Sequence, residues 1–195
     1  MVRVIALGQY ARSRLWIAEM PPVECRALQL LTRSVPVATV GAADARRCAV
    51  ELYWPTGPRA LYGLLGAEFI PGTDSHLTVL VSAHDTQGET FEESLAVLLD
   101  DVRTGLPLEY AEAVNSVLSV EESSALQQFG PGTLTFAWGA HGAAGSARKV
   151  FEVLTSVLLK LLVTPLPLQD SEVSNLIRAL LHPPQPADTS VGYGP

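Results

Sequence analysis

Two stretches, Gly105-Leu-Pro-Leu-Glu-Tyr-Ala-Glu-Ala-Val114 and Gly139-Ala-His-Gly-Ala-Ala-Gly-Ser146, decide how the chain is read. In each, glycine interrupts an extended run and an apolar helical pattern follows. Pro107 suits a helix's first turn, where a missing N–H is harmless. Behind it Tyr110, Ala113, Val114, Val117 and Leu118 recur at the spacing of one buried helical face. The second stretch follows a strand-like run at 133–138. It leads into a helix expected over 146–162, capped by Ser146, with Val150, Phe151, Leu154, Val157, Leu158 and Leu161 turned to the core.

Working outward, β-branched and alternating runs predict strands at 2–7, 15–17, 49–54 and 76–83, with turns at Thr56-Gly-Pro and Pro71-Gly-Thr-Asp. Pro21-Pro22 closes the early extended segment. Residues 23–33, with Ala27, Leu28, Leu30 and Leu31, then read as a short helix. Periodicity at 92–103 fits a helix through Leu95, Leu98, Leu99 and Val102, while the run Leu-Ala-Val-Leu-Leu also fits a buried strand. A last amphipathic helix is expected at 171–181, capped by Asp170 or Ser171 and stopped by Pro183-Pro184. The 183–195 tail has little to bury.

Composition bounds the function. With 195 residues, 48% of them apolar, the chain can build one compact α+β domain with additions. A formal charge of −7, with Arg46-Arg47 and Arg148-Lys149 the only adjacent basic pairs, argues against DNA as a partner. The most apolar run, 150–163, is too short for a membrane span and is broken by Glu152, Ser156 and Lys160. The N-terminus lacks the pattern of a secretory signal, so a cytoplasmic protein is expected. Cys25 and Cys48 read as small hydrophobes, and His76, His84 and His182 have no metal-ligand spacing; no cofactor is implied.

The glycine run Gly139, Gly142, Gly145 with Ser146 has two readings. Backbone N–H groups at a helix start can hold a phosphate or carboxylate, or the glycines simply permit a tight turn that Ser146 caps. His141 is the best single residue for proton transfer or recognition. Ser146 beside it lacks a visible orienting acid for a nucleophile–base pair. The consecutive pairs Asp100-Asp101 and Glu121-Glu122 do not converge and read as solubilising. Trp54 with Tyr62, and Leu176 with Leu180 on the final helix, are the candidate partner surfaces.

These motifs carry a resemblance. Gly105-Leu-Pro-Leu-Glu-Tyr110 with Ala113-Val114, and 133–138 leading to His141, Ser146 and Phe151, resemble two signatures of domain IV of elongation factor G. Thr56-Gly-Pro-Arg-Ala-Leu-Tyr-Gly63 is similar to its glycine-rich tip loop. The likeness spans residues 49–163 without a GTPase domain, since no G-x-x-x-x-G-K-[ST] occurs.

The resemblance implies a fold like the second domain of ribosomal protein S5. That is a small sheet backed by helices, with a left-handed βαβ crossover. It turns 94–99 into a strand and makes 49–168 the core. An N-terminal β/α extension (1–48) joins the same sheet or forms a flap, followed by a C-terminal helix (169–182) and a tail (183–195).

Functionally, the resemblance implies a non-catalytic module acting through a protein partner or self-association. One alternative is a ribosome-associated factor presenting Arg59 and His141 from its loops, against the acidic charge. Another is a small-ligand or phosphate-binding enzyme using the 139–146 loop. Gly145-Ser146-Ala147 faintly resembles the phosphate loop of the galactokinase and homoserine kinase group.

Overall fold

The centre of the fold is a hairpin of two long strands, β4 (Arg46–Thr56) and β5 (Arg59–Pro71), paired in continuous register from Arg46↔Phe69 to Thr56↔Arg59. Its sequence is nearly all apolar because both faces are covered. The computed structural model describes residues 1–23, 25–37, 44–57, 59–120, 125–165 and 169–181. The expected tail, the Glu121-Glu122 pair, His182 and Pro58 of the hairpin turn lie outside these.

Among the described residues, eight strands form one sheet in the order β1-β2-β4-β5-β8-β6-β3, with β7 also paired to β8. The remaining strands are β1 (Val2–Ala6), β2 (Arg12–Ile17), β3 (Gln29–Pro36), β6 (His76–Ala83), β7 (Val102–Thr104) and β8 (Gly132–Gly142). Most pairs are antiparallel, and β6 with β8 is parallel. Along one edge β8 holds β5; along the other it holds first β6, then the short β7 at Ala140–Gly142. Residues 1–48 therefore do not form a flap. β1 and β2 extend the sheet beyond β4, and β3 extends it beyond β6.

Three helices, α1 (Leu108–Val120), α2 (Arg148–Val163) and α3 (Asp170–Leu181), share the main core. α2 lies against β4 and β5, α1 stacks beside it, and α3 closes over α2 and β1. The Tyr110 and Phe151 rings stack at 4.5 Å where α1 meets α2. Close approach of α2 requires Gly63: a Cβ there would stand 2.8 Å from Val150 Cγ1 and 3.1 Å from Leu154 Cδ1. No strand is expected from the sequence over 59–71, where Gly63 and Gly66 interrupt the apolar run, yet among the described residues it is the longest of the sheet.

Two expected elements differ. Residues 23–33 are not a helix; 29–36 is edge strand β3, paired to β6 throughout. Its inward set is Leu31, Val35 and, just beyond, Val37, while Leu28 and Leu30 are exposed. The outward leucines gave a false helical spacing, and tertiary pairing overrode it. Residues 94–99 are neither strand nor helix but consecutive turns, closed by Ser94 N–H to Phe91 C=O, Val97 N–H to Ser94 C=O and Leu99 N–H to Ala96 C=O.

The opposite face of the sheet carries a smaller apolar cluster of Trp16, Ala49, Tyr53, Tyr62, Leu64 and Ala140. The turn segment covers it through Phe91 and Ala96.

Candidate functional site

Beneath the turn segment, at the centre of β4, lies Glu51, fully buried. Sequence reasoning passed over it. The available signal was a single acid inside the two-sided apolar run Ala-Val-Glu-Leu-Tyr-Trp. A buried carboxylate must be paired or neutral, and Glu51 has three partners. Its Oε1 accepts the Tyr62 hydroxyl at 2.9 Å and the Leu95 N–H at 2.7 Å, and Oε2 faces Arg14 Nε at 3.3 Å. Burial raises its pKa above the usual glutamate value, partly offset by those partners. Burial likewise raises the Tyr62 hydroxyl well above its usual range, reinforced by Glu51. Tyr62 is thus an internal anchor rather than part of a partner surface. Trp54, on the other side of β4, is half-buried against the main core.

The second anchor of the turn segment is Asp100. Its Oδ1 accepts the Ala144 N–H at 3.0 Å and its Oδ2 the Gly145 N–H at 2.7 Å. Gly142 N–H goes to Ser146 Oγ (2.9 Å), and Ala143 N–H to Asp101 C=O (3.1 Å). The four donors of the 142–145 turn are therefore all engaged from within the chain, two of them by the Asp100 carboxylate. Gly142 makes room for it, since a Cβ there would overlap Asp100 Oδ2. The Asp100-Asp101 pair is not merely solubilising. Ser146 does not cap α2: Ala147 occupies the cap position without a side-chain bond, and Ser146 Oγ donates to Tyr62 C=O at 2.8 Å.

His141 is buried in β8, not exposed on a loop, and its Nδ1 donates to Gly105 C=O at 3.1 Å. His84, just past β6, accepts the Leu106 N–H on its own Nδ1 at 3.1 Å. The two imidazoles hold both sides of a single peptide group, the Gly105 C=O and the Leu106 N–H. Accepting on Nδ1 requires a neutral His84, and burial lowers its pKa accordingly. Ser146 and His141 face different partners, Tyr62 and Gly105, and form no nucleophile–base pair.

Between the turn segment and the β4–β5 hairpin lies a cavity of about 500 Å³, walled by Tyr53, Tyr62, Arg59, Ala96, Leu99 and Asp100 among others. Arg59 is exposed there, and Gly145 also lines it. Gly139 lies deeper in β8, and its C=O accepts the Gly105 N–H at 2.7 Å. On the helix side, Leu176 and Leu180 are half-buried against the main core, so that face of α3 is largely spent internally. Among the described residues no group of three His, Cys, Asp or Glu side chains converges as a metal site would, and no helix is long and apolar enough to cross a membrane.

The turn segment ends in the most exposed apolar surface found. Val97 is 45% accessible, Leu98 92% and Leu99 69%, three consecutive aliphatic residues on a turn bonded at one end to β4 and at the other to the 142–145 turn. No protein-family model and no curated protein matches the chain.

Proposed function

We propose that this chain is a non-catalytic cytoplasmic interaction module, built on a core like domain IV of elongation factor G, whose contact element is the 94–101 turn. The observation that carries this reading is the Val97-Leu98-Leu99 surface. Exposed aliphatic side chains on mobile loops are common, but here Glu51 and Asp100 fix the backbone on either side. A preorganised apolar anchor forfeits little conformational entropy on binding.

The order β4, β5, β6, β7, α1, β8, α2 supports the kinship in fold. So does the parallel β6–β8 pair joined through α1, the connection that the ribosomal protein S5 domain 2-like fold requires. The phosphate-binding alternative has lost its main support, because the donors of the 142–145 turn are all engaged within the chain, those of Ala144 and Gly145 by Asp100. The ribosome alternative rests on Arg59 and His141. The first is exposed and the second buried, in a chain of charge −7.

A photo-crosslinking amino acid at position 98 tests the reading in cells expressing the full chain. The same group at Leu108, an exposed apolar residue of α1, serves as control. A covalent protein adduct at 98 and none at 108 is expected; no adduct at 98 would overturn the reading.

A further inference from the structure

The exposed leucines and the 500 Å³ cavity are neighbours in the chain: Leu99 belongs to the cavity wall, and Leu98, the residue before it, is 92% exposed. A projection and a recess side by side on one face are the requirement for a two-fold contact, in which each copy inserts its projection into the other's recess. The recess is large enough, since an apolar cavity of about 150 Å³ already takes a benzene ring. Of its walls, Tyr53, Pro55 and Leu99 suit an aliphatic side chain.

Charge follows the same division. Glu92 and Glu93, exposed at the start of the turn segment, make no side-chain ion pair among the described residues. Arg59 lines the recess, and Arg12 stands with its guanidinium carbon 5.8 Å from the centre of the Tyr53 ring in the recess wall. Both arginines are exposed and without an ion pair among the described residues. The Asp100 carboxylate in the recess wall is taken up by the Ala144 and Gly145 N–H groups, which leaves Arg59 and Arg12 at the mouth to face Glu92 and Glu93, so two copies related by a two-fold axis bring opposite charges together twice. Electrostatic complementarity of this kind fixes register and suppresses wrong partners.

We infer that the partner of this surface is a second copy of the chain, docked by mutual insertion of Leu98 into the cavity between the 94–101 turn and the β4–β5 hairpin. The inference rests on the interaction reading above and names its partner.

Sedimentation equilibrium on the full chain is expected to give twice the mass of one chain. Leu98→Asp, an exposed substitution that leaves the fold intact by circular dichroism, should raise the dimer dissociation constant by about two orders of magnitude. Arg59→Glu alone should weaken the dimer, and combining it with Glu92→Arg and Glu93→Arg should restore it. A purely monomeric chain, or a dimer insensitive to Leu98→Asp, overturns the inference.

The position-98 crosslink separates the two levels. An adduct of twice the chain mass supports self-association. An adduct of any other mass overturns self-association and leaves the interaction reading standing, and no adduct ends both.

Discussion

Asp100 and Gly142 are one device at the scale of single residues. The carboxylate supplies two charge-assisted hydrogen bonds to the 144–145 backbone, and the missing Cβ leaves space for it. Asp100→Ala is expected to destabilise the fold by about 1–3 kcal/mol. Gly142→Ala should cost a similar amount by overlap with the carboxylate. The double variant should be clearly less damaging than the sum, because the overlap disappears with Asp100; additive denaturation midpoints would refute this coupling.

Glu51 and His84 act at the same scale with opposite signs. A glutamate whose folded pKa is raised stabilises most below its unfolded value of 4.5, and the contribution is lost as pH rises through the folded pKa. A histidine whose folded pKa is lowered contributes fully above 6.5, and that is lost as pH falls. Glu51→Gln keeps an acceptor for Tyr62 and Leu95. Its stability relative to the native chain should therefore improve as pH rises above 4.5, whereas replacing His84 should flatten the acid side of the profile. Urea unfolding across pH reads both; parallel curves for native and Glu51→Gln would contradict the burial account.

Between elements, helix–sheet contact depends on the absence of a side chain at Gly63. Gly63→Ala forces a methyl against Val150 and Leu154 of α2 and should cost about 1–3 kcal/mol by overpacking. Val150→Ala should recover part of that loss by opening room for the methyl, and no recovery in thermal unfolding would refute the contact.

The same residue shows why some elements were legible and others were not. α1, α2 and α3 were legible because their apolar stripes repeat locally and survive any tertiary arrangement. β5 was hidden by Gly63, whose reason lies in the distant α2, and by Gly66, where a Cβ would meet Met20, Trp138 and Ala49. β3 was hidden because its exposed Leu28 and Leu30 imitate a helical face, and only pairing with β6 gives the alternation meaning. The 94–99 turn was read as regular structure because its leucines look buried. They are exposed, and what holds the turn are Glu51 and Asp100, one of them 44 residues upstream. The sequence drew attention to 139–146, but not to the carboxylate that fills its turn. Asp100 was visible only as half of an acidic pair.

At the scale of the whole molecule, the first strand and the last helix close on each other. Val173 and Ile177 of α3 enter the same core as Ile5 and Leu7, and Arg3 Nη1 donates to Asp170 Oδ1 at 2.7 Å. The start of α3 is fixed by Glu172, whose carboxylate reaches back to the Gln169 N–H at 2.8 Å, one half of a capping box. β1 is an edge strand held by β2 alone on its paired side, so its own hydrogen bonds are a weak anchor. Its protection against opening must come in large part from α3. Ile177→Ala removes buried aliphatic volume at this junction and should cost about 2–5 kcal/mol. Amide hydrogen exchange is the decisive readout. In the Ile177→Ala chain, β1 and α3 are expected to lose protection together while β4 and β5 retain theirs, because the central hairpin is covered by α2 on one face and the turn segment on the other. Loss confined to α3, with β1 exchanging as before, would show that the edge strand is held by the sheet alone.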